Sequence, residues 1–240
     1  TRDEVFTVGW VRASLRAYQR QDLLIQLYDQ IPVDHPNIEF LRLDEKALYA
    51  TDAEIRAEAE VLLLQADPDN YAGSIIDRLF LMGEYELIKE LIENSRPELT
   101  ARRLEAQVNH GLGIQLDYLK AIYLSGQRQR AEAFALSLLD HMSDRPYAGG
   151  FGLSKFWWDA IPHLVLGNPE AAVRDIELAA EAGVVLFDFD QIAKDPLTAQ
   201  IAEMPRFLAV RQAVVQRLEP DKAAVLDTLV RAGYLENHSL

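Results

Sequence analysis

The sequence contains no cysteine, and this absence removes several kinds of chemistry at once. Disulfide bridges, thiol nucleophiles and thiolate metal sites all need a sulfhydryl group. The chain therefore has neither a disulfide framework nor a cysteine-based active centre. Proteins without cysteine occur in oxidising and in reducing compartments, so the cellular compartment stays open.

Long apolar runs are also lacking. No stretch approaches the roughly 18 uncharged apolar residues that a membrane-spanning helix needs. The first residues, TRDEVF, have neither the basic nor the apolar part of a signal peptide, and no initiator methionine precedes them. We therefore expect no membrane span in this segment, and we interpret the chain as a fragment or a processed form.

Basic residues are scarce relative to acidic ones. The chain has 24 Lys and Arg against 38 Asp and Glu, a formal charge of −14, and residues 51–95 hold eleven acids and three bases. A field of this sign repels phosphate backbones and anionic lipid surfaces. Direct binding of nucleic acid by this segment is therefore not expected.

Histidines are few, and their positions do not suggest a metal site or a cofactor. His35, His110, His141, His163 and His238 are far apart, and no H-E-x-x-H pattern occurs. No metal and no cofactor are therefore predicted. His163 lies on the apolar face of a predicted helix, which is typical of a histidine packed in the core.

Two loops have residues that are common in ligand-binding loops, but neither has a complete ligand-binding motif. AGGFGLSKF, residues 148–156, lacks the Gly-Lys-Ser/Thr triplet of a phosphate-binding loop, so it predicts an inter-helix loop with Ser154 as an N-cap. FDFD together with Asp195 lacks the glycine and distal glutamate of an EF-hand. We interpret that region as a solvated acidic turn.

Apolar residues recur at spacings of three and four through most of the chain, as at Val11, Leu15 and Tyr18. This period is helical, and the single run that favours a strand, GVVLFDF at 183–189, is short and isolated. The sequence predicts an all-α protein.

Glycines divide the helical segments into pairs. Gly83, Gly126 and Gly167 each separate two periodic segments and lie 43 and 41 residues apart, which predicts a repeat of stacked helical hairpins. Glycine accepts the left-handed conformation that ends a helix, and a small residue five positions later allows close helix packing. Ala131 and Ala172 satisfy this rule, whereas Ile88 breaks it and predicts looser or shifted packing.

The remaining chain is assigned to hairpins and caps within one domain, residues 1–240. Residues 1–36 are expected to form an irregular hairpin, residues 37–183 the regular hairpins, and residues 184–240 the capping helices. Within the second region, Thr51 or Asp52 is a plausible N-cap. Short helices are expected around Pro196 and Pro205, followed by a final helix after Pro220 that ends at Gly233.

These residues resemble the tetratricopeptide repeat (TPR), a helical hairpin that builds right-handed superhelical scaffolds. The resemblance rests on ADPDN with Gly83 and Tyr85, on Gly126 with Ala131, and on Gly167 with Ala172 and Ala179. The later units are seven to nine residues longer than the usual repeat of about 34. The ending KDPLTAQIAEMPRFLAV is similar to the close of repeat regions found C-terminal in bacterial multidomain regulators, such as winged-helix activators and nucleotide cyclases.

The resemblance implies a right-handed superhelix with a concave groove that binds a protein or peptide. That groove would be lined by Asn70, Asp77 and Phe80, by Leu116, Lys120 and Tyr123, and by Ser154, Trp157, Ile161 and Leu164. Consecutive tryptophans point about 100° apart on a helix, so Trp157 can face the groove while Trp158 packs. Pro162 is expected to kink that helix.

The leading hypothesis is a non-enzymatic binding module, the regulatory or docking part of a larger bacterial signalling or transcription-regulating protein. In the alternative interpretation of Trp157 and Trp158, both side chains only pack between repeats. Two other functions stay open: a domain that senses a small molecule beside Trp157, and an enzyme whose site is assembled from distant residues. A homodimer through an open end of the stack is also possible.

Overall fold

In the computed structural model, placement is described for residues 15, 23–24, 47, 50–64, 73–95, 97–100, 112–143, 155–183, 189–233 and 235. Most of these residues are helical, and none of them lies in a strand. The all-α prediction is therefore confirmed for this part of the chain. Of the run 183–189 that favoured a strand, the described residues are Gly183, in a turn, and Phe189, which begins a helix.

The helices form a succession of short elements with one long helix at the end. Their bounds are α1 Asp52–Leu64, α2 Gly73–Met82, α3 Tyr85–Ser95, α4 Leu112–Leu124, α5 Arg128–Ser143, α6 Lys155–Val165, α7 Pro169–Glu181, α8 Phe189–Lys194, α9 Ala199–Ala202 and α10 Pro205–Arg231. A 3-10 turn, Pro97–Thr100, follows α3.

The three predicted glycine turns share one backbone geometry. Gly83, Gly126 and Gly167 have φ of 79°, 85° and 72°, a conformation that glycine adopts without steric cost. In each turn the glycine N–H donates to the carbonyl three residues earlier at 3.1 Å. The N–H of the next residue donates to the carbonyl five residues before it, at 2.8 to 3.0 Å. This pair of bonds is the Schellman motif, so α2–α3, α4–α5 and α6–α7 are hairpins closed in the same way.

The packing inside the hairpins follows the size of the residue five positions past the glycine. Ala131 and Ala172 are fully buried, and the contact between α6 and α7 is the most extensive among the described helices. Ile88 is also fully buried, but the contact between α2 and α3 is much smaller. A larger side chain at this position keeps two helix axes further apart, which agrees with the looser packing expected there.

Neighbouring hairpins also pack on one another. Helix α3 contacts α4, α5 contacts α6, and α4 also contacts α6, while α1 contacts both helices of the first glycine hairpin. One continuous hydrophobic core runs through these contacts from α1 to α10. The central helix α4 is therefore covered on most of its circumference.

Helix α1 begins with a capping box, which settles the choice between two candidate caps. The Thr51 N–H donates to Glu54 Oε2 at 2.8 Å, and the Glu54 N–H donates to Thr51 Oγ1 at 3.4 Å. Thr51 is therefore the N-cap, and Asp52 is the first helical residue.

The C-terminal helix differs from the expectation. A separate helix after Pro220 was predicted, but α10 continues from Pro205 to Arg231 with Pro220 in its interior. Proline removes one helical N–H donor, and because Pro220 is exposed, water can bond the carbonyl that loses its partner. The predicted end of this helix is confirmed, since Gly233 follows it with φ of 77°.

Helix α10 is attached to the stack through α7. Phe207, Val210 and Val214 are buried, and the Arg217 guanidinium donates to the Ala180 carbonyl at 2.8 Å.

No described helix is both long enough and apolar enough to cross a membrane. Of the predicted hairpin in residues 1–36, the structure describes Leu15, Leu23 and Leu24, which are buried; the rest lies outside the described residues.

Candidate functional site

The predicted groove residues occupy equivalent places in the three hairpins. Three residues before the turn glycines lie Phe80, Tyr123 and Leu164; six residues before them lie Asp77, Lys120 and Ile161. Because the three turns have the same geometry, these side chains lie at matching positions on α2, α4 and α6. The spacing of the glycines thus gives each hairpin the same two positions.

Most of these side chains are buried. Phe80, Leu116, Ile161 and Leu164 are between 0 and 6 % exposed and belong to the core, whereas Asp77 and Tyr123 are half-buried. Asn70 and Ser154 lie outside the described residues, and the side chain of Trp157 is not among those described. The polar residues in the described part of the predicted groove are therefore Asp77, Lys120 and Tyr123.

Lys120 is the centre of the site because it is a charged side chain in the core. It is 7 % exposed, and its Nζ pairs with Asp195 Oδ2, whose side chain is only 4 % exposed. The same ammonium lies 4.0 Å from the centre of the Phe80 ring. Lysine and phenylalanine at this distance form a cation–π contact, so α2, α4 and the residues after α8 meet at one point.

The electrostatic surroundings keep Lys120 protonated. Burial alone would lower the pKa of this ammonium, but Asp195, Asp117 and Asp77 outweigh burial and hold its pKa above the ordinary value. A lysine acts as a nucleophile or general base only when its pKa is brought down towards neutrality. The structure shows Lys120 in the charged role, bound to the carboxylate of Asp195.

Asp195 forms a tight turn as well as an ion pair. Its Oδ1 accepts the N–H groups of Leu197 and Thr198, each at 3.0 Å, while its Oδ2 faces Lys120. The Thr198 hydroxyl donates to the Ile192 carbonyl at 2.7 Å. We call residues 195–198 the Asp195 turn.

The interpretation of Asp195 as part of a solvated acidic turn was wrong. The residue is 3 % exposed. A carboxylate can be buried when every lone pair that loses water gains a donor, and here two backbone amides and one ammonium supply the donors. The D-P-L-T pattern signals the local turn, but nothing near it in sequence announces Lys120, which lies 75 residues earlier.

Tyr123 lies at the end of α4, beside the turn of its own hairpin. The Arg128 guanidinium stacks over its ring at 3.5 Å from the centroid. This contact covers one face of the ring and leaves the side chain half-buried. Among the described residues of the predicted groove, Tyr123 is thus the aromatic residue that keeps part of its surface exposed.

His163 lies at the edge of the α6–α7 contact instead of in the core. Its Nε2 is 3.4 Å from Asp175 Oδ2, and its side chain is 26 % exposed. Burial lowers the pKa of the imidazole, and the charge of Asp159 opposes this effect only in part. The helical period placed His163 on the inner face of α6 but could not show Asp175, which comes from the next helix.

A second polar cluster joins α3, α4 and α5, and the sequence reasoning missed it. The hydroxyl of the fully buried Tyr118 donates to Glu93 Oε1 at 2.6 Å, and the Arg130 guanidinium lies 2.8 Å from the same carboxylate oxygen. Burial and the Glu93 carboxylate raise the pKa of Tyr118, so the hydroxyl keeps its proton. This cluster holds three helices together; Tyr118 is buried, whereas the Arg130 and Glu93 side chains are partly exposed and already paired with each other.

No metal-binding arrangement is present among the described residues, where no group of three or more His, Asp and Glu side chains could hold an ion. Comparisons with protein-family models, with curated proteins and with solved structures find no match to this chain. The hairpin geometry and the surroundings of Lys120 are therefore the basis for any functional inference.

Proposed function

We propose that the chain is a non-enzymatic helical-repeat module, similar to tetratricopeptide repeats, that binds a protein or peptide segment. The observation that carries this proposal is the recurrence of one hairpin turn, with the same two hydrogen bonds, at Gly83, Gly126 and Gly167. A unit that recurs with this regularity stacks into a solenoid, and solenoids commonly bind extended partners along one face.

The contact between α4 and α6 supports a superhelical arrangement. These helices are the first members of adjacent hairpins, and they touch each other as well as their own partners. When first helices line up in this way, they form an inner layer, and the second helices form an outer one. A superhelix follows if each hairpin is rotated slightly in the same sense relative to the one before it, and we propose the right-handed sense of the tetratricopeptide repeat.

The face around Lys120 is the part of the inner layer best suited to recognition. It combines the positive charge of Lys120 and the Phe80 ring beneath that charge, both buried in this structure, with the half-buried Tyr123 one turn further on. Aromatic and cationic groups of this kind are the usual anchors for a peptide. In this proposal the chain has a docking or regulatory role in a larger bacterial protein.

Selection from a random peptide library displayed on phage tests the proposal directly. The bait is the whole 240-residue chain, and the variant is the double substitution Tyr123→Ala, Trp157→Ala. We expect the wild type to enrich a defined family of peptides and the double variant to lose that family. Circular dichroism must show that the variant keeps its helix content.

A matched control comes from the outer layer. Leu136 on α5 is 58 % exposed, so Leu136→Ala removes exposed apolar surface outside the proposed face. The enriched peptides should bind this variant as they bind the wild type. Failure of the wild type to enrich any peptide family, or equal loss in both variants, contradicts a binding face on the inner layer.

A further inference from the structure

The Asp195 turn occupies the place that a peptide ligand is proposed to take. It comes from a segment that follows the last hairpin, yet it reaches back past α7 and α6 to Lys120 on α4. Its carboxylate contacts the same ammonium that lies over Phe80. Part of this chain is thus already bound at the face on which Phe80 and Lys120 were predicted to contact a partner.

The segment that carries this turn is built from short pieces. Helix α8 has six residues and α9 has four, and helices of this length are unstable without tertiary contacts. One side of the segment is attached to α10, where the rings of Phe189 and Phe207 meet edge to face at 6.0 Å. The other side is attached to α4 by the Lys120–Asp195 pair, and Ile192, Leu197 and Ile201 are buried in the hydrophobic core between these two attachments. The outer surface, including Lys194 and Pro196, is exposed.

A buried ion pair of this kind gives little net stability but imposes a strict requirement. The attraction between the charges largely offsets the cost of removing them from water, so exchanging one carboxylate for another changes the free energy little. Leaving Lys120 without a carboxylate is costly, since its charge stays buried. Asp77 and Asp117 also raise the pKa of Lys120, so the side chain stays charged and still needs a carboxylate in contact with it.

We propose that the Asp195 turn is an internal latch that closes on Lys120 in the unbound chain, and that an acidic segment of the partner replaces Asp195 there. This inference rests on the proposed binding function and specifies the chemistry of the ligand: an aspartate or glutamate carboxylate presented by a peptide. Release of the latch then frees residues 189–202, which couples binding on the inner face to the C-terminal end of the molecule.

The first test uses the wild-type chain and hydrogen exchange followed by mass spectrometry. A latch opens without unfolding the stack, so peptides covering residues 189–202 should exchange about tenfold or more faster than those covering α4 and α6. Equal protection in both regions shows that the segment opens only when the whole core opens. That result overturns the latch even if the phage selection succeeds.

The second test exploits the two oxygens of Asp195. In Asp195→Asn the amide oxygen still accepts the N–H groups of Leu197 and Thr198, while the charge that faces Lys120 is lost. The probe is a fluorescein-labelled peptide of residues 187–202, FDFDQIAKDPLTAQIA, and its counterpart with asparagine at position 195. The Asp195→Asn chain should bind the aspartate peptide about tenfold or more tightly than the asparagine peptide, as a charge-assisted contact implies.

The controls separate this inference from the proposed function. The wild-type chain should bind the aspartate peptide more weakly than the Asp195→Asn chain does, because the tethered turn competes at high effective concentration. Adding Lys120→Met to Asp195→Asn should abolish the preference for aspartate. Equal binding of the two peptides to the folded Asp195→Asn chain overturns the latch, whereas the proposed function is tested separately by the outcome of the phage selection and its Leu136→Ala control.

Discussion

Lys120 and Asp195 show how two charged side chains can lie in the core of a small helical protein. Each is less than 10 % exposed, and each has a partner of opposite charge. Burial of either charge alone is strongly unfavourable, because water no longer solvates it and nothing replaces the water. The pair must therefore be gained or lost as a unit.

A double-mutant cycle measures this coupling. Lys120→Met and Asp195→Asn should each lower the free energy of unfolding by about 3–5 kcal/mol, since each leaves one buried charge or polar group without its partner. The combined variant should lose much less than the sum of the two. Urea unfolding followed by circular dichroism gives the three differences, and strict additivity would show that the two side chains do not depend on each other.

His163 predicts a pH dependence whose sign follows from its surroundings. Burial lowers the pKa of the folded-state imidazole below its usual value, so the unfolded chain binds the proton more readily. Protonation therefore favours unfolding, and stability falls as the pH drops below about 6.5 towards the lowered pKa. Above the ordinary histidine pKa both states are neutral, and the effect vanishes.

His163→Gln isolates this contribution, because glutamine does not titrate. As the pH is lowered from about 7 to about 5, the free energy of unfolding of the wild type should fall relative to that of the variant. Urea midpoints measured across that range supply the comparison. Parallel curves for the two proteins would mean that Asp159 and Asp175 offset burial fully.

The helical elements are delimited mainly by local chemistry. Gly83, Gly126 and Gly167 end α2, α4 and α6 because each adopts positive φ, and Thr51 begins α1 through a capping box. These features depend on residues within five positions of one another. They are correspondingly the features that the sequence predicted most closely.

Two glycines at the ends of α4 should respond in opposite ways to alanine. Gly126 has φ of 85°, so Gly126→Ala should cost about 1–2 kcal/mol through backbone strain alone, with no atom near enough to clash. Gly113 lies in the first turn of the helix with open space around it, so Gly113→Ala should stabilise by about 0.5 kcal/mol. Thermal unfolding of both variants tests the pair, and a shift of the same sign in both would contradict the assigned turn.

The whole molecule carries a formal charge of −14, and surface ion pairs offset only part of the repulsion. Arg56 pairs with Glu84 and Arg78 with Asp52, but exposed pairs of this kind contribute little. Salt screens repulsion between exposed charges beyond about 10 Å at 0.1 M ionic strength. The net effect of salt on the fold should therefore be stabilising.

Raising NaCl from about 0.02 to 0.3 M at pH 7 should increase the midpoint of thermal unfolding, since the Debye length shortens severalfold over that range. The Lys120–Asp195 pair is buried and should contribute little to the salt effect. The Lys120→Met, Asp195→Asn chain should accordingly show a similar slope. A midpoint that falls with salt would indicate that surface ion pairs outweigh the net repulsion.

The sequence by itself determined the helical class, the three hairpin turns and the start of α1, because helical period, positive φ and capping are properties of a few neighbouring residues. The assignment of Lys120 and Phe80 to one face came from the resemblance to the tetratricopeptide repeat. Only the tertiary structure decided that Asp195 lies buried against Lys120, that His163 faces Asp175, and that α10 continues through Pro220. The side-chain pairings depend on how distant segments pack, and the proline is tolerated because it faces solvent, so no local pattern contains either result.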